Sequence, residues 1–218
     1  MTKLKVCGLR DPDNALVAAK AGADFIGMVF VPGVRREITQ EIAQSIIQTL
    51  RSGLGSLCPQ LVGLFANQSV DEVNRIARQC GLDMVQLCGD ESLEYWAYID
   101  IPIIKQIKIR DENSQPDSIK SSSREIEEVR AAGHMVILDK YEKGAMGGTG
   151  KTFDWVIAKN LADMHDVILA GGLTPDNVGR AIQEVHPLGV DVSSGVETAG
   201  VKDASKILDF ANEVHRIG

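Results

Sequence analysis

The sequence is short of what would place it in a membrane, on nucleic acid or around a metal. Its 218 residues hold no apolar run long enough to cross a bilayer, and the first residues lack the apolar core of a secretory signal. Basic residues neither cluster nor interleave with aromatics, and the formal net charge is −7, which speaks against a nucleic-acid partner. Cysteines are limited to Cys7, Cys58, Cys80 and Cys88, with no CxxC pair and no Cys/His cluster at zinc spacing. In a chain of this length they do not make a disulfide framework and fit a reducing cytoplasm. No GxGxxG follows the first strand, so the fingerprint of a dinucleotide-binding sheet is missing. The balance is otherwise ordinary for a globular protein with a sizeable core: 44% hydrophobic and 24% charged. With an acidic surplus, an anionic ligand needs local donors acting against the overall field.

What the sequence does have is alternation. Leu4–Val6 reads as a short strand ending in Cys7 and Gly8; Asp11-Pro12-Asp13 then opens an Ala-rich helix that runs to Ala21 and ends at Gly22. Phe25 to Phe30 is a near-continuous apolar run, as in strands covered on both faces by helices. The pattern recurs. Strands are expected at 61–65, 84–87, 103–107, 134–139, 167–170 and 189–192. Helices are expected from Thr39, over 70–79, from Asp90-Glu91 toward Trp96, over 125–132, from about Phe153, from Thr174-Pro175-Asp176 and over 202–214. The stretch 110–123 is polar and turn-rich, and reads as loop. Eight strands alternating with eight helices leave about 27 residues per unit, enough for one strand, one helix and two short loops. Alternation of this kind makes a parallel sheet, and eight units close most simply as a single (β/α)8 TIM barrel spanning residues 1–218. An open doubly wound sheet is the alternative.

In such a barrel the ends of the strands share one rim. Cys7 closes the first strand, Asp139 the sixth, and Asp191 lies near the end of the eighth. A carboxylic acid and a thiolate facing each other can donate and accept a proton. Glycine-rich turns follow strands seven and eight, Gly171-Gly172 and Ser193-Ser194-Gly195; this is where barrels commonly hold a phosphate on backbone N–H groups. Arg36, after strand two, could clamp a carboxylate with two parallel hydrogen bonds. Each feature also has a plainer reading: an inert buried thiol, a loop-anchoring carboxylate, chain-turning glycines, a solvated arginine.

Taken together, Lys5-Val6-Cys7-Gly8-Leu9, Ala21-Gly22-Ala23-Asp24, Val85-Gln86-Leu87, Leu138-Asp139, the run from Gly147 to Trp155, Leu169-Ala170-Gly171-Gly172-Leu173 and the run from Gly189 to Glu197 resemble the phosphoribosylanthranilate isomerase family from one end of the chain to the other. The resemblance implies an Amadori rearrangement in tryptophan biosynthesis that needs neither metal nor cofactor. It implies that Asp139 is the general acid that opens the ribose ring and Cys7 the base that takes the C2′ proton. Arg36 would hold the anthranilate carboxylate, and Gly148, Gly171, Gly172, Asp191, Ser193, Ser194 and Gly195 would complete the substrate site. The expected partner is a small phosphorylated substrate, with no nucleic acid and no membrane, and the chain is expected as a monomer or homodimer.

Three positions depart from the family pattern: Cys88 where His is usual, Gly33-Val34-Arg35 where Lys-Ser-Pro is usual, and Val31 where an aromatic is usual. The second leaves open whether Arg35 or Arg36 meets the carboxylate. The loop 140–151 carries Gly144, Gly147, Gly148 and Gly150 and leaves directly from Asp139, which makes it a candidate lid as well as a candidate static turn. Other phosphate-binding barrels fit less well. The histidine-pathway sugar isomerase uses an aspartate where Cys7 stands, and indole-glycerol-phosphate synthase depends on strand-end lysines and a glutamate. A non-catalytic barrel subunit would not be expected to keep Cys7, Asp139 and Arg36 together.

Overall fold

The computed structural model describes residues 1–109, 116–140 and 155–218. Eight parallel strands close into a barrel in sequence order: β1 (Lys3–Cys7), β2 (Phe25–Val29), β3 (Gln60–Phe65), β4 (Met84–Leu87), β5 (Ile103–Ile109), β6 (Met135–Lys140), β7 (Val167–Leu169) and β8 (Gly189–Val192). The ring shuts where β8 pairs with β1, setting Asp191 beside Lys5 and Val192 beside Val6. The helices between are α1 (Pro12–Lys20), α2 (Gln40–Leu54), α3 (Val70–Cys80), α4 (Leu93–Trp96), α5 (Pro116–Ala131), α6 (Trp155–Ala162), α7 (Val178–Val185) and α8 (Ala204–Ile217). A two-stranded ribbon, β9 (Glu197–Thr198) and β10 (Val201–Lys202), precedes α8.

Alternation along the strands divides the core in two. Outward residues such as Leu4, Val6, Ile26, Leu61 and Val85 pack against the buried stripes of the helices. Inward residues such as Phe25, Val62, Met84, Ile104 and Ile137 fill the lumen. Four buried polar residues also point inward, Lys5, Gln86, Gln106 and Asp191, while buried Lys105 faces outward to Glu91. Side-chain caps start several helices, with Asp11 accepting from the Asn14 amide at 2.8 Å and Ser69 from the Glu72 amide at 3.3 Å. Gly81 ends α3 in a left-handed conformation, φ 74°. At the other end of the barrel Asp24 and Asp83 accept from the amides of Leu4 (2.8 Å) and Leu61 (2.9 Å), tying β1 and β3 to the loops that lead into β2 and β4.

Four helix starts differ from expectation. The stretch read as loop over 110–123 is helical from Pro116: polar positions such as Lys120, Ser121 and Arg124 are exposed while Ile126 and Val129 are fully buried, so a polar helix face had looked like loop. α4 begins at Leu93, capped by Ser92, rather than at Asp90-Glu91, because Glu91 turns inward to pair with Lys105 at 2.8 Å. α7 begins at Val178: Thr174 to Asn177 form a turn in which Asn177 Oδ1 accepts from the Thr174 amide (2.8 Å) and Nδ2 donates to the Gly172 carbonyl (3.0 Å). α8 begins at Ala204 under an Asp203 cap, which leaves Lys202 in the ribbon.

Candidate active site

The C-terminal ends of the strands surround a cavity of about 340 Å³. Cys7, Arg36, Asp139, Gly171, Gly172, Asp191, Ser193 and Ser194 all line it, so the strand-end residues singled out in the sequence do converge. Gly195 stands behind that wall; a Cβ there would collide with the Leu173 carbonyl, so it lets the β7 and β8 loops touch. Gly148 and the proposed lid at 141–150 lie outside the described residues.

Cys7 is 5% exposed. Its sulfur has room because β2 carries Gly27 beside it: a Cβ at Gly27 would lie 2.8 Å from Sγ. Burial pushes the thiol up; Lys5, within hydrogen-bonding reach, opposes this, and Lys202 pulls the same way, while Asp191 adds to the rise. Lys5 is wholly buried one step below on the same strand face and bonds Asp191 Oδ1 at 2.9 Å. Burial alone would lower its pKa, but the Asp191 charge outweighs that and raises it, so Lys5 is a fixed cation beneath Cys7.

Asp139, next to last in β6, has Oδ2 accepting from Gln106 Nε2 at 2.6 Å and Oδ1 from the Lys140 amide at 2.8 Å. Burial and the neighbouring Asp191 charge outweigh these bonds and push its carboxyl up to about 6. A carboxyl so raised still carries its proton in roughly one enzyme in ten at neutral pH, and it is poised to give it away. Gly171, at φ 90°, brings the β7 loop alongside: a Cβ there would be 3.0 Å from Asp139 Oδ1.

Arg36 crosses the mouth over Gly8, where a Cβ would lie 2.5 Å from its Cδ. It pairs with Glu197 through Nε (2.6 Å to Oε1) and a terminal nitrogen (3.2 Å to Oε2). The more exposed Arg35 meets the same carboxylate at 2.6 Å, and Lys202 Nζ meets it at 3.2 Å. Burial would raise Glu197, but hydrogen bonds from Arg36 and Arg35 outweigh it and bring its carboxyl down to about 2. Lys202, nearly buried, is pushed down to about 8 by desolvation although Glu197 opposes this; it also donates to the Ser193 carbonyl at 2.7 Å. Ser193 Oγ in turn donates to the Cys7 carbonyl at 3.1 Å. Three cations share one carboxylate, so the mouth is locally positive although the protein carries −7.

The sequence reading passed over Lys5, Lys202 and Gln106 as functional residues. Lys5 could have been noticed as a charge in phase with Cys7 on a buried strand; Lys202 was read as part of a helix. Among the described residues no group of three or more His, Cys, Asp or Glu comes together in a way that could hold a metal ion. No helix among them is long and apolar enough to cross a membrane.

This geometry has relatives. The model of the N-(5'-phosphoribosyl)anthranilate isomerase family matches residues 4–213. The chain belongs to that family. It is 46% identical over 213 residues to the N-(5'-phosphoribosyl)anthranilate isomerase of Geotalea uraniireducens, covering 96% of this chain and 97% of the relative. The solved phosphoribosyl anthranilate isomerase of Thermotoga maritima superposes with a TM-score of 0.83 at 32% identity, over 99% of this chain and 100% of that one. A second solved isomerase, in complex with reduced 1-(o-carboxyphenylamino)-1-deoxyribulose 5-phosphate, gives 0.80 at 30% identity over 99% and 100% of the two chains. The chain is therefore an isomerase of tryptophan biosynthesis acting on N-(5'-phosphoribosyl)anthranilate. Its barrel is the barrel of the family, and the cavity at its rim is the candidate active site of that reaction.

Proposed function

We propose that Asp139 and Cys7 carry the Amadori rearrangement as acid and base. The protonated Asp139 gives its proton to the ribose ring oxygen; the C1′–O bond breaks and the anilino nitrogen lone pair forms the cationic Schiff base. The Cys7 thiolate then takes the C2′ proton, the electron pair flows into the iminium, and the resulting enolamine becomes the ketone by tautomerisation. Asp139 ends as carboxylate and Cys7 as thiol, and a proton returning from one to the other resets the enzyme. No redox partner is needed. The observation that carries this reading is the convergence of a raised carboxyl and a buried thiol on one cavity with a cation, Lys5, fixed below. The iminium charge, once formed, adds to Lys5 in favouring the thiolate.

Arg36, held by Glu197, faces the anthranilate carboxylate; Arg35 flanks it from the exposed side. Gly171, Gly172, Ser193 and Ser194 form the lip after β7 and β8 and take the phosphate on backbone amides and hydroxyls, with Gly195 holding the two loops together. Asp191 anchors Lys5 and keeps Asp139 raised. Gly148 belongs to the same substrate site in this reading. The free thiols fit a cytoplasmic setting, residues 1–218 act as one catalytic domain, and the protein works as a monomer or a homodimer. The deciding experiment is steady-state kinetics on the phosphoribosyl substrate. Cys7→Ser and Asp139→Asn should each lower kcat by about 10²–10⁴, with much smaller changes in KM. Near-normal kcat in either variant removes that residue from the mechanism.

A further inference from the structure

Gln86 lines the same cavity and has no part in the chemistry above. It is 2% exposed, on the inward face of β4. Its Nε2 donates to Cys88 Sγ at 3.4 Å, and its Oε1 finds no hydrogen-bond partner among the described residues. A buried carboxamide oxygen without a donor is unfavourable, and folded proteins keep few of them. No described neighbour supplies one. Flanking Gln86 in the sheet are Leu64 and Ile104, both apolar. Gln106 directs its Nε2 to Asp139, and the Lys5 ammonium bonds Asp191. Cys88 is a weak partner, so the amide end bonded to it rests on sulfur alone.

We propose that Gln86 is a substrate-binding residue: its carboxamide oxygen accepts a hydrogen bond from an N–H or O–H of the molecule in the cavity, and Cys88 holds the amide in that orientation. The inference rests on the reading of this cavity as the active site. A site that presents a buried acceptor discriminates strongly against a ligand lacking the donor, because the oxygen is then left unpaired. Two donors of the substrate have this chemistry, a sugar hydroxyl and the anilino N–H.

Isothermal titration of wild type and Gln86→Met with three ligands tests it: the reduced carboxyphenylamino-deoxyribulose 5-phosphate analogue, ribulose 5-phosphate and inorganic phosphate. The analogue should bind Gln86→Met about tenfold more weakly, equivalent to 1.4 kcal/mol, while inorganic phosphate binds within twofold of wild type. If ribulose 5-phosphate weakens in parallel, the donor is a hydroxyl; if only the analogue weakens, it is the anilino N–H. The thermal midpoint of Gln86→Met should equal or exceed that of wild type, since an unpaired oxygen has been removed; a purely structural glutamine would lower it. Cys88→Ala should weaken the analogue by a smaller factor and add nothing in the Gln86→Met background. Wild-type affinity for the analogue in folded Gln86→Met overturns the proposal, and Gln86→Leu serves if the methionine variant does not fold. A wild-type protein that fails to bind the analogue at all instead overturns the reading of the cavity.

Discussion

At neutral pH the free enzyme holds Cys7 as a thiol and most of Asp139 as carboxylate, the reverse of what ring opening and proton abstraction require. Activity then depends on the small fraction with Asp139 protonated and Cys7 ionised. Below Asp139's value that fraction falls as thiolate disappears with no further gain of acid; above the Cys7 value it falls as the acid disappears. The profile of kcat/KM should therefore be bell-shaped with its acid limb near pH 6, checked by assays from pH 4.5 upward. An acid limb near pH 4 would contradict the raised carboxyl. The same shift acts on stability. The folded state keeps the Asp139 proton to about pH 6 while the unfolded chain releases it near 4, so stability contributed by this residue falls as pH rises through that window. Asp139→Asn should remove the loss and raise stability at pH 7 by on the order of 1–3 kcal/mol, read from urea unfolding at pH 4.5 and 7. Cys7, Asp139 and Arg36 were legible because strand ends in a barrel share a rim. Lys5 was harder to see: its place two residues before Cys7 puts both on one strand face, but the carboxylate that keeps it charged is 186 residues away.

Between elements, the arginine loop after β2 depends on the ribbon before α8. Glu197 touches no substrate in this reading and is a positioning residue: it takes Arg36 by two nitrogens. Glu197→Gln should raise KM about tenfold with kcat little changed, the magnitude expected of a half-buried charged hydrogen bond. An unchanged KM would free Arg36 from this support. The β7 loop makes a parallel case. Gly172 has φ 68°, so Gly172→Val strains the backbone as well as blocking the lip; inhibition by inorganic phosphate should weaken together with substrate affinity, and unchanged phosphate inhibition in the folded variant would move the phosphate elsewhere. Strand positions followed from apolar runs, which parallel sheets make unmistakable. The Thr39 cap and the start at Val70 also followed, but four helix starts did not, because side-chain bonds move them: Glu91 is drawn to Lys105, and Asn177 closes a turn onto the Gly172 carbonyl. Propensity cannot see such bonds.

For the whole molecule, the described wall of the cavity draws on strand ends all round the barrel, from Cys7 to Ser194. The lumen carries a further consequence. Phe25, Met84, Ile104 and Ile137 fill it from the end where the strands begin, so the cavity opens only toward the rim where they finish. Substrate and product thus share one doorway and cannot pass each other. Turnover must alternate entry with exit, and the accumulating ketose should compete directly with the incoming N-glycoside for the same opening.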